Sequence, residues 1–234
     1  MANKITSCIP NLLTICNLIS GCIAIYMSFH HTEVFASLTG LEWAWIWIGA
    51  AAIFDFCDGA SARHLHAYSE LGGDLDSLSD LVSFGVAPAM MMLNLTLPMS
   101  QMGWLCFAAF IIPACGAYRL AKFNCDTTQT TSFRGLPIPA NAIFWIGMCG
   151  WIQEFAFPGA IPMAMLYILL GWLMVSNVRM FSLKFKNFNW RENFRRYVML
   201  GATVLFVLSM GISGFVWAIA LYILISVMGR KEAA

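Results

Sequence analysis

Asp55, Asp58, Glu70, Asp74, Asp76 and Asp80 lie within "DFCDGASARHLHAYSELGGDLDSLSD" (55–80), which therefore holds six of the twelve carboxylates in the chain. On a helix, Asp55 and Asp58 are three apart and Asp76 and Asp80 four apart, so each pair shares one face. Helices joined by a short connection are antiparallel neighbours, and the two faces can meet. Four like charges converging where water is scarce must take up protons or bind cations. A donor set made only of carboxylate oxygen suits hard cations such as magnesium, manganese or calcium. Glu70 and Asp74 fit a plainer role, as acidic residues at a helix start that complement its dipole. Directly after Asp58 come Gly59, Ala60, Ser61 and Ala62, small residues that let a ligand approach the backbone. Arg63 follows with a guanidinium suited to phosphate. Carboxylates, small residues and an arginine together describe a site for a diphosphate held with divalent cations.

The rest of the chain must place that cluster. Of 234 residues, 60% are hydrophobic and 11% charged, against roughly 25% charged in soluble domains. The sequence predicts an all-α, polytopic membrane helix bundle forming one domain over residues 1–234. Its apolar runs predict about eight transmembrane helices, near 11–29, 41–58, 75–97, 103–123, 136–153, 160–178, 195–210 and 212–229, with six as the lower alternative. With eight spans, Lys and Arg fall only at the termini and in the connections 59–74, 119–135 and 179–196. The positive-inside rule then places both termini and the carboxylate cluster on the cytoplasmic side of the cell (inner) membrane. The basic, aromatic segment 179–197 reads as a membrane-surface connection and not as a nucleic-acid site. The eight cysteines have no zinc-like or disulfide-framework spacing. Ser83, Gly85 and Pro88 predict a bend in the third span one turn beyond Asp80.

The spaced pattern D-x2-D-G-x2-A-R-x8-G-x3-D-x3-D, running from Asp55 to Asp80, resembles the signature of the CDP-alcohol phosphotransferases at all eight fixed positions. The resemblance implies a homodimeric membrane enzyme that moves a phosphatidyl-type group from a CDP-linked lipid to an alcohol and releases CMP. It implies two divalent cations, Mg2+ or Mn2+, held by Asp55, Asp58, Asp76 and Asp80, with no organic cofactor. Asp80 would also be the base for the acceptor hydroxyl, and Gly59, Ala62, Arg63 and Gly72 would pack against the CDP portion. "PNLLTICNLISGCIAI" (10–25), "LDSLSDLVSFGVAPA" (75–89), "YRLAKFN" (118–124) and "FRGLPIPA" (133–140) are similar to the phosphatidylserine synthase branch. That branch uses CDP-diacylglycerol and serine. A serine acceptor needs a cation for its carboxylate, and Arg119 and Arg134 are the candidates. Lys122 reads as a lipid anchor. Glycerol 3-phosphate or inositol phosphate are the alternative acceptors. A divalent-cation transporter is the rival from another class, although acids gathered at one depth, without an internal repeat, do not describe an ion path.

Overall fold

The computed structural model describes residues 4–67, 69–125, 133–181 and 190–228. Lys184, Lys186, Arg230 and Lys231, on which the charge asymmetry also draws, lie outside them. The helices are α1 (Lys4–Phe29), α2 (Gly40–His64), α3 (Glu70–Asp80), α4 (Ala87–Thr96), α5 (Gly103–Cys106), α6 (Ile111–Cys125), α7 (Ile138–Glu154), α8 (Ala160–Val175), α9 (Trp190–Met210) and α10 (Gly214–Met228). A π-helical turn, Leu81–Val86, fuses α3 to α4. Among the described residues, five helical stretches are long and apolar enough to cross a membrane: Cys8–Phe29, Gly40–His64, Glu70–Met99, Gly103–Cys125 and Asn193–Met228. The last contains α9, the turn Gly211–Ser213 and α10. Its chain reverses at Gly211, which has φ +56°, so that Tyr222 on α10 reaches back to donate a 3.0 Å hydrogen bond to the Phe181 carbonyl. The expected spans near 136–153 and 160–178 are helices of 17 and 16 residues.

The helices obey the logic of an apolar solvent. On α1, Ile9, Leu12, Ile15, Ile19 and Tyr26 are exposed, while Thr14, Asn17, Ser20 and Ser28 are buried. The polar residues recur at helical spacing and turn inward, because hydrocarbon offers them no partner. That inward face packs against α2, α3, the π turn and α4. Gly21 makes the closest approach, since a Cβ there would stand 2.7 Å from Ser83 Cα in the π turn. Replacing Gly21 by Leu is therefore expected to push α1 off the π turn, costing roughly 1–3 kcal/mol of overpacking. A lowered melting temperature in detergent together with lost activity checks this.

Short connections tie the rods together. At one end, Val34–Phe35 pairs with Leu38–Thr39, and Thr39 opens α2 with a capping box to Glu42. At the same end Asn94 donates to Ser28 across 3.0 Å. At the carboxylate end, the strand Phe133–Arg134 pairs with Arg179–Met180. This ties the segment just before α7 to the segment just after α8. Between the ends α7 is the central helix, with Trp145 fully buried against Tyr167.

One expectation is corrected. Gly59 to Arg63 do not form a loop, because α2 continues to His64, and the connection is only Leu65–Ser69. The residues are small but not helix-breaking as a group, and the single Gly59 costs about 1 kcal/mol against alanine. The charges end the apolar run and not the helix. Likewise α3 starts at Glu70, five residues before the expected span, with Ser69 as its N-cap.

Candidate active site

α2 delivers Asp55 and Asp58 two turns before its end, and α3 delivers Asp76 and Asp80 in its second half. One carboxylate oxygen from each of Asp55, Asp76 and Asp80 lies within 4.8 Å of the others. Asp58 lies outside this set, but close enough to act electrostatically on Asp76 and Asp80. The structure thus brings all four predicted carboxylates to one place and divides them three to one. Asp58 and Asp80 are buried, at 5% and 8% exposure.

What fixes the two buried carboxylates comes from α1. Thr14 Oγ1 donates to Asp58 Oδ2 at 2.7 Å. Asn17 Nδ2 donates to Asp80 Oδ1 at 3.1 Å. Ser83, from the π turn, closes the arrangement by donating to the Asn17 carbonyl at 2.9 Å. The π turn follows Asp80 immediately and replaces the simple bend expected from Ser83, Gly85 and Pro88; such turns are frequent at functional sites. Thr14 and Asn17 were missed as functional residues, although buried polar groups three apart in an apolar span were a usable signal.

The other predicted residues lie on α2, α3, α6 and the strand before α7. Gly59 and Ala62 are half-buried on the last turns of α2, and Arg63 is exposed there. A Cβ on Gly59 would meet only the Arg63 side chain, at 3.4 Å. A Cβ on Gly72 would come within 2.9 Å of Ser69 Oγ and 3.2 Å of Asn11 Oδ1, so a larger residue there would displace the N-cap hydroxyl of α3. Arg119 and Arg134, far apart in sequence, line one small cleft with Lys122, Phe123 and Ser176. Arg119 sits within electrostatic reach of Tyr222 and Asp80, and its Nε is buried with no hydrogen-bond partner among the described residues. Lys122 is held by Asn177 Oδ1 at 3.3 Å. Asn124 donates to Ser77 at 2.9 Å, linking α6 to α3.

The donor set tests well for a metal. It consists only of carboxylate oxygens, and Asp76 Oδ1 is buried with no partner among the described residues. Such a site fits a hard divalent cation. The alternative, an acid cluster dispersed into solvent, does not match two carboxylates this deeply buried.

The family model described as CDP-alcohol phosphatidyltransferase matches residues 7–208. The chain belongs to the CDP-alcohol phosphatidyltransferase family. That match covers α1 through most of α9, so the helices that position the cluster all lie inside it. Among the relatives is a Bacillus subtilis protein named CDP-diacylglycerol–serine O-phosphatidyltransferase, 37% identical over 172 residues, which are 73% of this chain and 88% of that protein. A protein of the same name from Methanocaldococcus jannaschii is 34% identical, over 73% of this chain and 72% of its own. Another from Helicobacter pylori is 32% identical, over 85% of this chain and 81% of its own. The chain is an enzyme of this phosphatidyltransferase family, embedded in membrane through its apolar helices.

Proposed function

We propose that the enzyme transfers the phosphatidyl group of CDP-diacylglycerol to the hydroxyl of L-serine, giving phosphatidylserine and CMP. The observation that carries the reading is the carboxylate triad of Asp55, Asp76 and Asp80 within electrostatic reach of Arg119, whose Nε has no partner among the described residues. Relatives named for this reaction, matched over most of their length, support the choice of acceptor.

In this reading Asp55, Asp58, Asp76 and Asp80 hold two divalent cations, Mg2+ or Mn2+. When bound, the cations neutralise diphosphate oxygens during the displacement. Gly59, Ala62, Arg63 and Gly72 form the surface for the CDP portion, with Arg63 free to reach a phosphate. Asp80 accepts the proton of the serine hydroxyl as its oxygen bonds to the phosphatidyl phosphorus. The bond from that phosphorus to the CMP oxygen breaks, and CMP leaves. Arg119 and Arg134 hold the serine carboxylate. An apolar cavity of about 500 Å3 runs along α2 from Glu42 to Ala52, the latter one turn from Asp55, with Phe84, Ile146 and Phe215 also in its lining. It suits an acyl chain of the lipid donor.

The bundle has eight crossing helices, with both termini and the site facing the cytoplasm across the inner membrane. Supporting this, Arg63, Arg119, Lys122, Arg134 and Arg179 all belong to the carboxylate end. The homodimer rests on the family resemblance.

The reading is tested by product analysis. Vesicles carrying the purified protein and CDP-diacylglycerol should form phosphatidylserine when serine and Mn2+ are added, and stop when the metal is chelated. Formation that continues without divalent metal would refute the carboxylate mechanism. The Thr14 hydroxyl orients one metal-holding carboxylate, and removing such support weakens metal affinity by about 10- to 100-fold. Thr14→Val should therefore raise the Mn2+ concentration for half-maximal rate by that factor, as a metal titration would record.

A further inference from the structure

Serine presents three polar groups: the reacting hydroxyl, a carboxylate and an ammonium. The proposed function assigns the hydroxyl to Asp80 and the carboxylate to the arginine cleft. Its ammonium has no assigned partner. It needs an acceptor oxygen near Asp80, because the carbon bearing the ammonium is bonded to the carbon bearing the hydroxyl.

Few acceptors near the base remain uncommitted. The hydroxyl of Thr14 serves Asp58, that of Ser83 serves the Asn17 carbonyl, and that of Ser79 serves the Leu75 carbonyl. Among the described residues of the site, the buried side-chain acceptors without a partner are Asp76 Oδ1 and Asn17 Oδ1. Asp76 belongs to the carboxylate triad that fits a cation. Asn17 is fully buried. Its amide nitrogen donates to Asp80 Oδ1, the orientation that an ionised carboxylate requires, and the amide oxygen stands beside it. That leaves an unpartnered acceptor, Asn17 Oδ1, on the residue bonded to the base, and an unpartnered donor, Arg119 Nε, within electrostatic reach of it. The pair matches a zwitterion. A buried polar group left unpaired costs free energy that a matching ligand recovers, so such a pair also rejects ligands lacking either charge.

We infer that Asn17 is a specificity-determining residue: its amide nitrogen orients Asp80, and its amide oxygen receives the ammonium of the incoming amino acid. The inference rests on the serine reading.

The test uses two inhibitors that lack a hydroxyl. L-alanine carries both the carboxylate and the ammonium, whereas propionate carries only the carboxylate. Against serine-dependent CMP release by the wild-type enzyme, alanine should inhibit at about 10- to 100-fold lower concentration than propionate, the range for one hydrogen bond to a charged group. In Asn17→Ala this preference should collapse toward equality. Asn17→Asp keeps an acceptor oxygen and loses the donor to Asp80, so it should retain the preference while kcat falls. If Asn17→Ala falls in kcat and keeps the alanine preference, Asn17 only positions the base, and the ammonium assignment is overturned. Equal inhibition of the wild-type enzyme by the two compounds overturns it without any variant, should Asn17→Ala fail to fold. Absence of serine-dependent release by the wild-type enzyme would instead refute the proposed function itself.

Discussion

Replacing Asp80 by Asn is expected to lower serine-dependent CMP release by about a hundred- to ten-thousand-fold, the contribution of a positioned general base. The shape of the side chain is kept. Its carbonyl oxygen can still accept from Asn17 Nδ2, which stands 3.1 Å from Asp80 Oδ1. What is lost is the oxygen that takes the hydroxyl proton and one charge from the metal-holding set. A second readout separates this from misfolding. Without metal, removing one of several converging like charges relieves repulsion, so the variant should melt no lower than wild type. With Mn2+ present, wild type gains stability from a ligand that binds only the folded state, and the variant gains less. Turnover near wild type in Asp80→Asn would refute the role of this residue.

Arg119→Ala carries the second large effect. Arg119, on α6, lies within electrostatic reach of Asp80, and its Nε is buried with no partner among the described residues. The loss of its hydrogen bond to a carboxylate should raise the KM for serine by about 10- to 100-fold. The KM for CDP-diacylglycerol should stay near its wild-type value, because the proposed reading gives the donor to Arg63 and the small face of α2. Arg119→Lys should recover only part of the loss, since an ammonium does not reproduce the two-pronged fork. Saturation curves for each substrate check this. An unchanged serine KM in Arg119→Ala would place the acceptor elsewhere, with Arg134 the next candidate.

The carboxylates were legible in the sequence because charge in an apolar chain needs a reason, and helical spacing says which charges share a face. The arginine cleft was half legible: Arg119 and Arg134 stood out singly, but their meeting depends on the pairing of Phe133–Arg134 with Arg179–Met180. Periodicity of hydrophobic residues gave the order of the rods. It did not give where α2 ends, because the charges after Asp58 mark a change of solvent while the backbone stays helical through His64. Nor did it give the π turn, whose residues Leu81–Val86 are ordinary helix formers apart from Gly85. Thr14 and Asn17 were hidden for another reason. Their meaning lies in partners more than forty residues away, and spacing within one helix cannot name a partner on another.

The most direct measurement is CMP release by detergent-purified protein given CDP-diacylglycerol and Mn2+. Serine, glycerol 3-phosphate and inositol phosphate would be offered separately, with Asp80→Asn alongside. The account predicts release with serine alone, and none above background in the variant. Release with a phosphorylated acceptor and not with serine would contradict the choice of acceptor while leaving the metal site standing. No release with any acceptor would contradict the proposed reaction.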